Sequence, residues 1–175
     1  MRPALETTSV PTWATSTVRP DADLSGRHWT VVAIGTEAED IAASWRAQIV
    51  ADAPLADIRV HRVVDDRAAQ AAVTADIVAA VVGWRLMIAG PAHACLRVRA
   101  HALQCGVADD EITVASTAVA IRDVRCALCG TVTSAEMNLG DLLPCSGCSR
   151  NVVVHHHVSR RLGAHLGFMA DAGDP

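Results

Sequence analysis

Two hydrophobic rhythms run along this chain. From residue 29 onward, short unbroken apolar runs alternate with stretches in which apolar side chains recur every three or four positions. That is the pattern of buried strands separated by amphipathic helices. Residues 29–34 form the first run, and the spacing of Ile41, Ala42, Trp45 and Ile49 predicts a helix over 37–51 with one stripe turned to a sheet. A strand over 57–63, a short helix over 67–73 and apolar runs at 77–82 and 85–89 follow. The last two runs nearly abut, so one of them is open to being helical. Gly90-Pro91 then opens a helix reaching Cys105, because proline in a first turn gives up no hydrogen bond. Gly106 ends it, and 112–115 is a final strand.

Strands alternating with helices imply a parallel sheet covered on both faces. Residues 28–122 are therefore expected as a small, doubly wound, Rossmann-like α/β domain. The flanks read differently. Residues 1–27 are rich in Thr, Ser, Pro, Ala and Asp without a period, the composition of a loose leader arm. Past Arg122 the chain turns to cysteine, glycine and histidine, and 123–175 is expected as a second, metal-centred domain.

Composition narrows the chemistry. All 15 basic residues are arginine, set against 19 acidic ones for a formal net charge of −4. Without lysine there is neither a P-loop nor a pyridoxal Schiff base. A net acidic chain whose only rings are four tryptophans and Phe168, besides its histidines, is a poor nucleic-acid binder. The start lacks an apolar signal core, and no stretch is long and apolar enough to span a bilayer, so a cytoplasmic location is expected. In that compartment paired CxxC motifs hold metal rather than form disulfides.

Those pairs are Cys126-x-x-Cys129 and Cys145-x-x-Cys148, with fifteen residues between them. Each CxxC makes a tight turn aiming two thiolates at one point. Two such turns build a closed tetrahedral S4 site for zinc, which leaves no position for substrate. Four thiolates suit a single iron equally well, so the second domain is expected to be a zinc-ribbon or a rubredoxin-like knuckle. Cys95 and Cys105, on or at the end of a helix, are expected as buried inert thiols.

Residues 152–158 continue as a strand, on which alternation sets His155 and His157 on one face and His156 on the other. The three imidazoles cannot converge on one ion. His157, with Arg160 and Arg161, is the candidate cofactor-binding set, since paired guanidiniums hold phosphates, propionates or partner carboxylates. The apolar Leu166, Phe168 and Met169 are expected to dock on this domain or on another chain.

No nucleotide loop follows the first strand: Gly35 lacks the further glycines, and Glu37 and Glu39 would repel a pyrophosphate. Asp65-Asp66 and Asp109-Asp110-Glu111 read as turn and cap residues. The stretch from Leu86 through Gly90-Pro91 to Ile112 resembles the last strand–helix–strand unit of the pyridine-nucleotide domain in ferredoxin reductases, with Ala89 in place of its cysteine.

The C-terminal third carries a more specific resemblance. Cys126-x-x-Cys129, Cys145-Ser146-Gly147-Cys148, His157-Val158-Ser159-Arg160-Arg161 and Gly167-Phe168-x-Ala170-Asp171-Ala172 resemble the small subunit of dimethylamine monooxygenases, the DmmA-like family. Val158 stands where that family has phenylalanine, and Gly173 where an acid is expected. The resemblance implies a subunit of a multi-subunit, NADPH-dependent monooxygenase that converts dimethylamine to methylamine and formaldehyde. Haem, flavin and iron–sulfur centres are then expected on companion chains, with this chain a metal-stabilised assembly component lacking its own active site. Two other readings stand beside it: a free-standing zinc-ribbon module for protein or nucleic acid, and a rubredoxin-like electron carrier.

Overall fold

The computed structural model describes residues 9–170. The first eight residues of the expected leader, and the Asp171 to Gly173 part of the tail motif, lie outside them.

Two sheets make up the fold. The first is parallel and four-stranded: β1 (His28–Ile34), β2 (Asp57–Val63), β3 (Trp84–Gly90) and β4 (Ile112–Ser116), in the order β2-β1-β3-β4. Helices α1 (Glu39–Asp52), α2 (Asp66–Ile77) and α3 (Ala92–Gln104) make the crossovers. Alternation within the strands sends Val31, Ala33, Met87, Ala89 and Ala115 to one face, where Ile41, Ala42, Trp45 and Ile49 of α1 cover them. Val32, Ile34, Leu86, Ile88 and Val114 point the other way, onto α2 and α3. The expected helix stripe is the one that is buried.

The apolar run 77–82 is not a strand. Helix α2 continues through Ile77 because Asp76 is anchored beneath it: Asp76 accepts from the Thr30 hydroxyl at 2.8 Å and from Arg59 at 3.0 Å, and lies 2.8 Å from His61 Nε2. Strand β1 is already flanked by β2 and β3, so the run has no place beside it. It turns out to solvent instead, with Val78 86 % and Val82 94 % exposed.

Residues 9–27 correct the expectation of a loose arm. Ser9 pairs with Val158 through its hydroxyl, and a short 3-10 turn at Thr12–Ala14 buries Ala14. Val18 exchanges hydrogen bonds with Ser116 at the edge of β4, and the Pro20 and Asp23 carbonyls accept the indole N–H groups of Trp45 and Trp29. Polar composition hid this strap because most of its fixings are backbone groups, which any sequence carries.

The second sheet has five strands: β5 (Ile121–Cys126), β6 (Val132–Glu136), β7 (Leu142–Pro144), β8 (Asn151–Ser159) and β9 (Ala164–Met169), ordered β6-β5-β9-β8-β7. Its core is small: Val124, Cys126, Leu143, Cys145, Val152 and Val154. An ionic clamp joins it to α3. Arg97 grips Asp66 of α2 with two parallel bonds of 2.8 and 2.9 Å, and its third nitrogen reaches Asp123 of β5, which also accepts from Ser134. Gly163, at φ 63°, seats the β8–β9 turn on α3: a Cβ there would lie 2.8 Å from the Arg97 Cα.

His165 of β9 is 1 % exposed, with its Nε2 3.4 Å from Arg122 Nη1. Burial, then the Arg122 charge, lowers its imidazole from the ordinary 6.5 to about 4. The unfolded chain takes up that proton near pH 6.5, whereas the folded one resists it down to about 4. Stability from this group is therefore whole above pH 6.5 and drains away as the pH falls toward 4, by about 3 kcal/mol. Urea unfolding at a series of pH values should show that slope, and His165→Gln should flatten it; equal slopes in the two proteins would contradict the assignment.

Candidate metal centre

Both cysteine pairs sit in hairpin turns of the second sheet, Cys126 and Cys129 between β5 and β6, Cys145 and Cys148 between β7 and β8. The turns share one backbone pattern. In the first, the Cys126 N–H donates to the Thr131 carbonyl and the Gly130 N–H returns to the Cys126 carbonyl, both at 2.9 Å. In the second, Cys145 donates to Arg150 and Ser149 returns to Cys145, again at 2.9 Å. Gly130 at φ 79° and Ser149 at φ 58° occupy the equivalent left-handed position that closes each turn.

Repeating the turn brings four sulfurs together. All lie within 4.8 Å of one another, with Cys129–Cys145 at 3.5 Å and Cys126–Cys148 at 3.9 Å. A tetrahedral ion with sulfur ligands near 2.3 Å requires sulfur–sulfur separations of about 3.8 Å. A disulfide requires about 2.05 Å. The four thiols are free, and their spacing fits an ion.

Local polarity favours thiolate at two of the four. Hydrogen bonds from the Thr131 hydroxyl and then its N–H draw Cys129 down to about 6, and the N–H groups of Cys148 and Gly147 lower Cys145. Cys148 is pushed up to about 11 despite a hydrogen bond from the Arg150 backbone, because burial and the neighbouring sulfurs oppose a further negative charge.

The two turns also lock onto each other. The Ser146 N–H donates to the Thr133 hydroxyl at 3.1 Å, and the Ser146 and Thr133 hydroxyls lie 3.0 Å apart. Gly147 passes against Thr131 so closely that a Cβ there would lie 2.8 Å from the Thr131 Cβ and nearer still to its hydroxyl. Gly147→Ala is expected to force the turns apart and cost about 2 kcal/mol, read as a lower melting temperature and weaker metal retention. Full retention with an unshifted melt would contradict this packing. Thr131, Thr133 and Gly147 join the two turns, a contact that the cysteine spacing alone does not reveal.

The other candidate residues are dispersed. His155 and His157 do share a face of β8, with ring centroids 4.8 Å apart, and Phe168 lies edge-on to His155 at 5.2 Å. Arg160 and Arg161 sit in the β8–β9 turn, where Arg160 reaches across to Asp109 at 3.1 Å and the Arg161 carbonyl accepts from Gln104. His157 thus lies beside His155, Arg160 meets Asp109, and Arg161 is engaged through its backbone carbonyl. Phe168 and Met169 are exposed on β9.

Two further expectations divide. Cys95 is buried, and burial pushes its thiol up, as expected for an inert side chain. Cys105 is exposed at the end of α3, 3.7 Å from His101 Nε2, because the helix stops there and its last residue leaves the core. Asp65 caps α2 as expected, accepting from Ala68 at 2.8 Å, whereas Asp109 pairs with two arginines.

Residues 123–168, which hold both cysteine turns, match the family described as dimethylamine monooxygenase subunit DmmA-like, C-terminal domain. Over those residues the chain is similar to the DmmA-like family. A relative named heme-dependent oxidative N-demethylase delta subunit, from Ectopseudomonas mendocina (strain ymp), is 36 % identical over 94 residues. That match covers 54 % of this chain and 53 % of the relative, so the similarity spans about half of each. No solved structure matches the chain. The matched segment runs from the clamp residue Asp123 to Phe168 and so takes in most of β5 through most of β9.

Proposed function

We propose that this chain is a non-autonomous subunit of a multi-subunit, NADPH-dependent amine monooxygenase that oxidises dimethylamine to methylamine and formaldehyde in the cytoplasm. Cys126, Cys129, Cys145 and Cys148 bind one zinc ion, and the domain they hold supplies an assembly surface. Companion chains carry the haem, flavin and iron–sulfur centres.

The observation that carries this reading is the DmmA-like match over a domain whose four sulfurs close on one another. The name of the N-demethylase relative supports the same reaction class. A closed S4 site offers zinc no open position, so the metal's contribution is folding energy rather than Lewis-acid chemistry. Exposed Leu128, Leu142, Phe168 and Met169 around the domain give a partner its apolar contact. Among the described residues no helix is long and apolar enough to cross a membrane.

The test is affinity purification of the tagged chain from its native host grown on dimethylamine, followed by metal analysis. Co-purification of haem- and flavin-bearing chains with one zinc per chain is the expected result. Recovery of the chain alone, or with nucleic acid, would replace this reading with a free-standing zinc-ribbon module. A red, iron-loaded chain that bleaches on reduction would instead make it an electron carrier.

A further inference from the structure

Arg160 borders a cleft of about 470 Å3 between the strap, α3 and the edge strand β4. That volume lies within the range of small-molecule sites. Its apolar wall is Pro11, Trp13, Ile112 and Val114, and its polar end is Arg99, Asp109 and Arg160.

The polar end carries an excess of positive charge. Both Nε and Nη2 of Arg99 donate to one oxygen of Asp109, and Arg160 Nη2 takes the other oxygen at 3.1 Å. Two guanidiniums therefore share one carboxylate, and no other acidic residue lines the cleft among the described residues. Arg99 is only 8 % exposed, yet its Nη1 has no acceptor among those residues. A nearly buried guanidinium with spare donors is a prepared anion site.

Trp13 adds a second, independent mark. The indole N–H groups of Trp29, Trp45 and Trp84 each meet an oxygen: the Asp23 carbonyl, the Pro20 carbonyl and the Thr30 hydroxyl. Trp13 alone has no such acceptor among the described residues, and it lines this cleft. Its ring offers a flat apolar surface with a free donor at the rim.

We propose that the cleft binds a small organic anion, a flat apolar ring system bearing one carboxylate or phosphate, its anionic group on Arg99 and Arg160 and its ring against Trp13. Asp109 is then the positioning residue that holds both guanidiniums in place. The site lies on the joint between the two sheets, so its ligand would bridge the strap, α3 and the β8–β9 turn.

The test is calorimetric titration of the full chain with 1-naphthoate, 1-naphthyl phosphate and the neutral 1-naphthamide. At least one anion is expected to bind with unit stoichiometry and about 10-fold more tightly than the amide. The tighter of the two identifies the head group. Arg160→Gln, at a 70 % exposed side chain, should weaken that binding about 10-fold. Trp13→Phe keeps the wall and should weaken it less. Equal binding of the amide, binding untouched by Arg160→Gln, or no heat from either anion at millimolar concentration would overturn the proposal.

Discussion

Cys126→Ser is expected to abolish metal retention and to melt the five-stranded sheet, while the parallel sheet stays folded. Cys126 closes β5, the strand that pairs with both β6 and β9, and it belongs to the core as well as to the sulfur cluster. That core holds only six buried residues. So few side chains supply little hydrophobic stabilisation, and domains of this kind draw their folding energy from metal, on the order of 10 kcal/mol in zinc-finger peptides. Serine keeps the volume nearly unchanged, so the loss reports on ligation rather than packing. The parallel sheet has two apolar clusters of its own and does not depend on the ion. Elemental analysis of dialysed protein should fall from one metal per chain toward none. Hydrogen exchange should become fast in β5, β8 and β9 yet stay slow in β1 and β3. A variant that keeps its metal, or that loses it with β5 still protected, would contradict a structural zinc site.

Which parts of this molecule were legible depended on whether neighbours in sequence were also neighbours in space. The α1 stripe of Ile41, Ala42, Trp45 and Ile49 and the runs at β1 and β3 carry their periodicity locally, and each lies where that pattern puts it. The two cysteine turns are local as well, since each CxxC needs only its own hairpin. Four thiols and their spacing are visible before any fold is known. What stayed hidden is non-local. Nothing near residue 77 says that β1 already has both neighbours, so an exposed turn looks like a strand. Nothing near Pro20 says that an indole N–H waits 25 residues away. The Thr131–Gly147 contact and the two-arginine grip on Asp109 are likewise products of the folded arrangement. Charged residues in turns are ordinarily solvated, which is why Asp66 and Asp109 read as bland.

Asp123→Ala is expected to cost about 3 kcal/mol and to uncouple the two sheets. Asp123 is 1 % exposed and joins Arg97 of α3 to Ser134 of β6, so its loss leaves two donors without their acceptor. The cost falls at the low end of the range for breaking a buried pair because Arg97 keeps its two-pronged hold on Asp66 and its charge stays compensated. Desolvation already opposes this cation: burial works against the Arg97 charge, and only Asp66 and Asp123 together hold its pKa above the ordinary value. Two consequences separate a coupling role from a purely local one. Asp123→Asn, whose amide oxygen can still accept from one of the two donors, should recover part of the loss. Unfolding of Asp123→Ala in urea should also become biphasic, with β9 amides opening before those of β3. A single transition shifted by less than about 1 kcal/mol, in the range of an exposed ion pair, would mean that the clamp is ornamental. The strap and the Gly163 contact would then be what holds the five-stranded sheet to the parallel sheet.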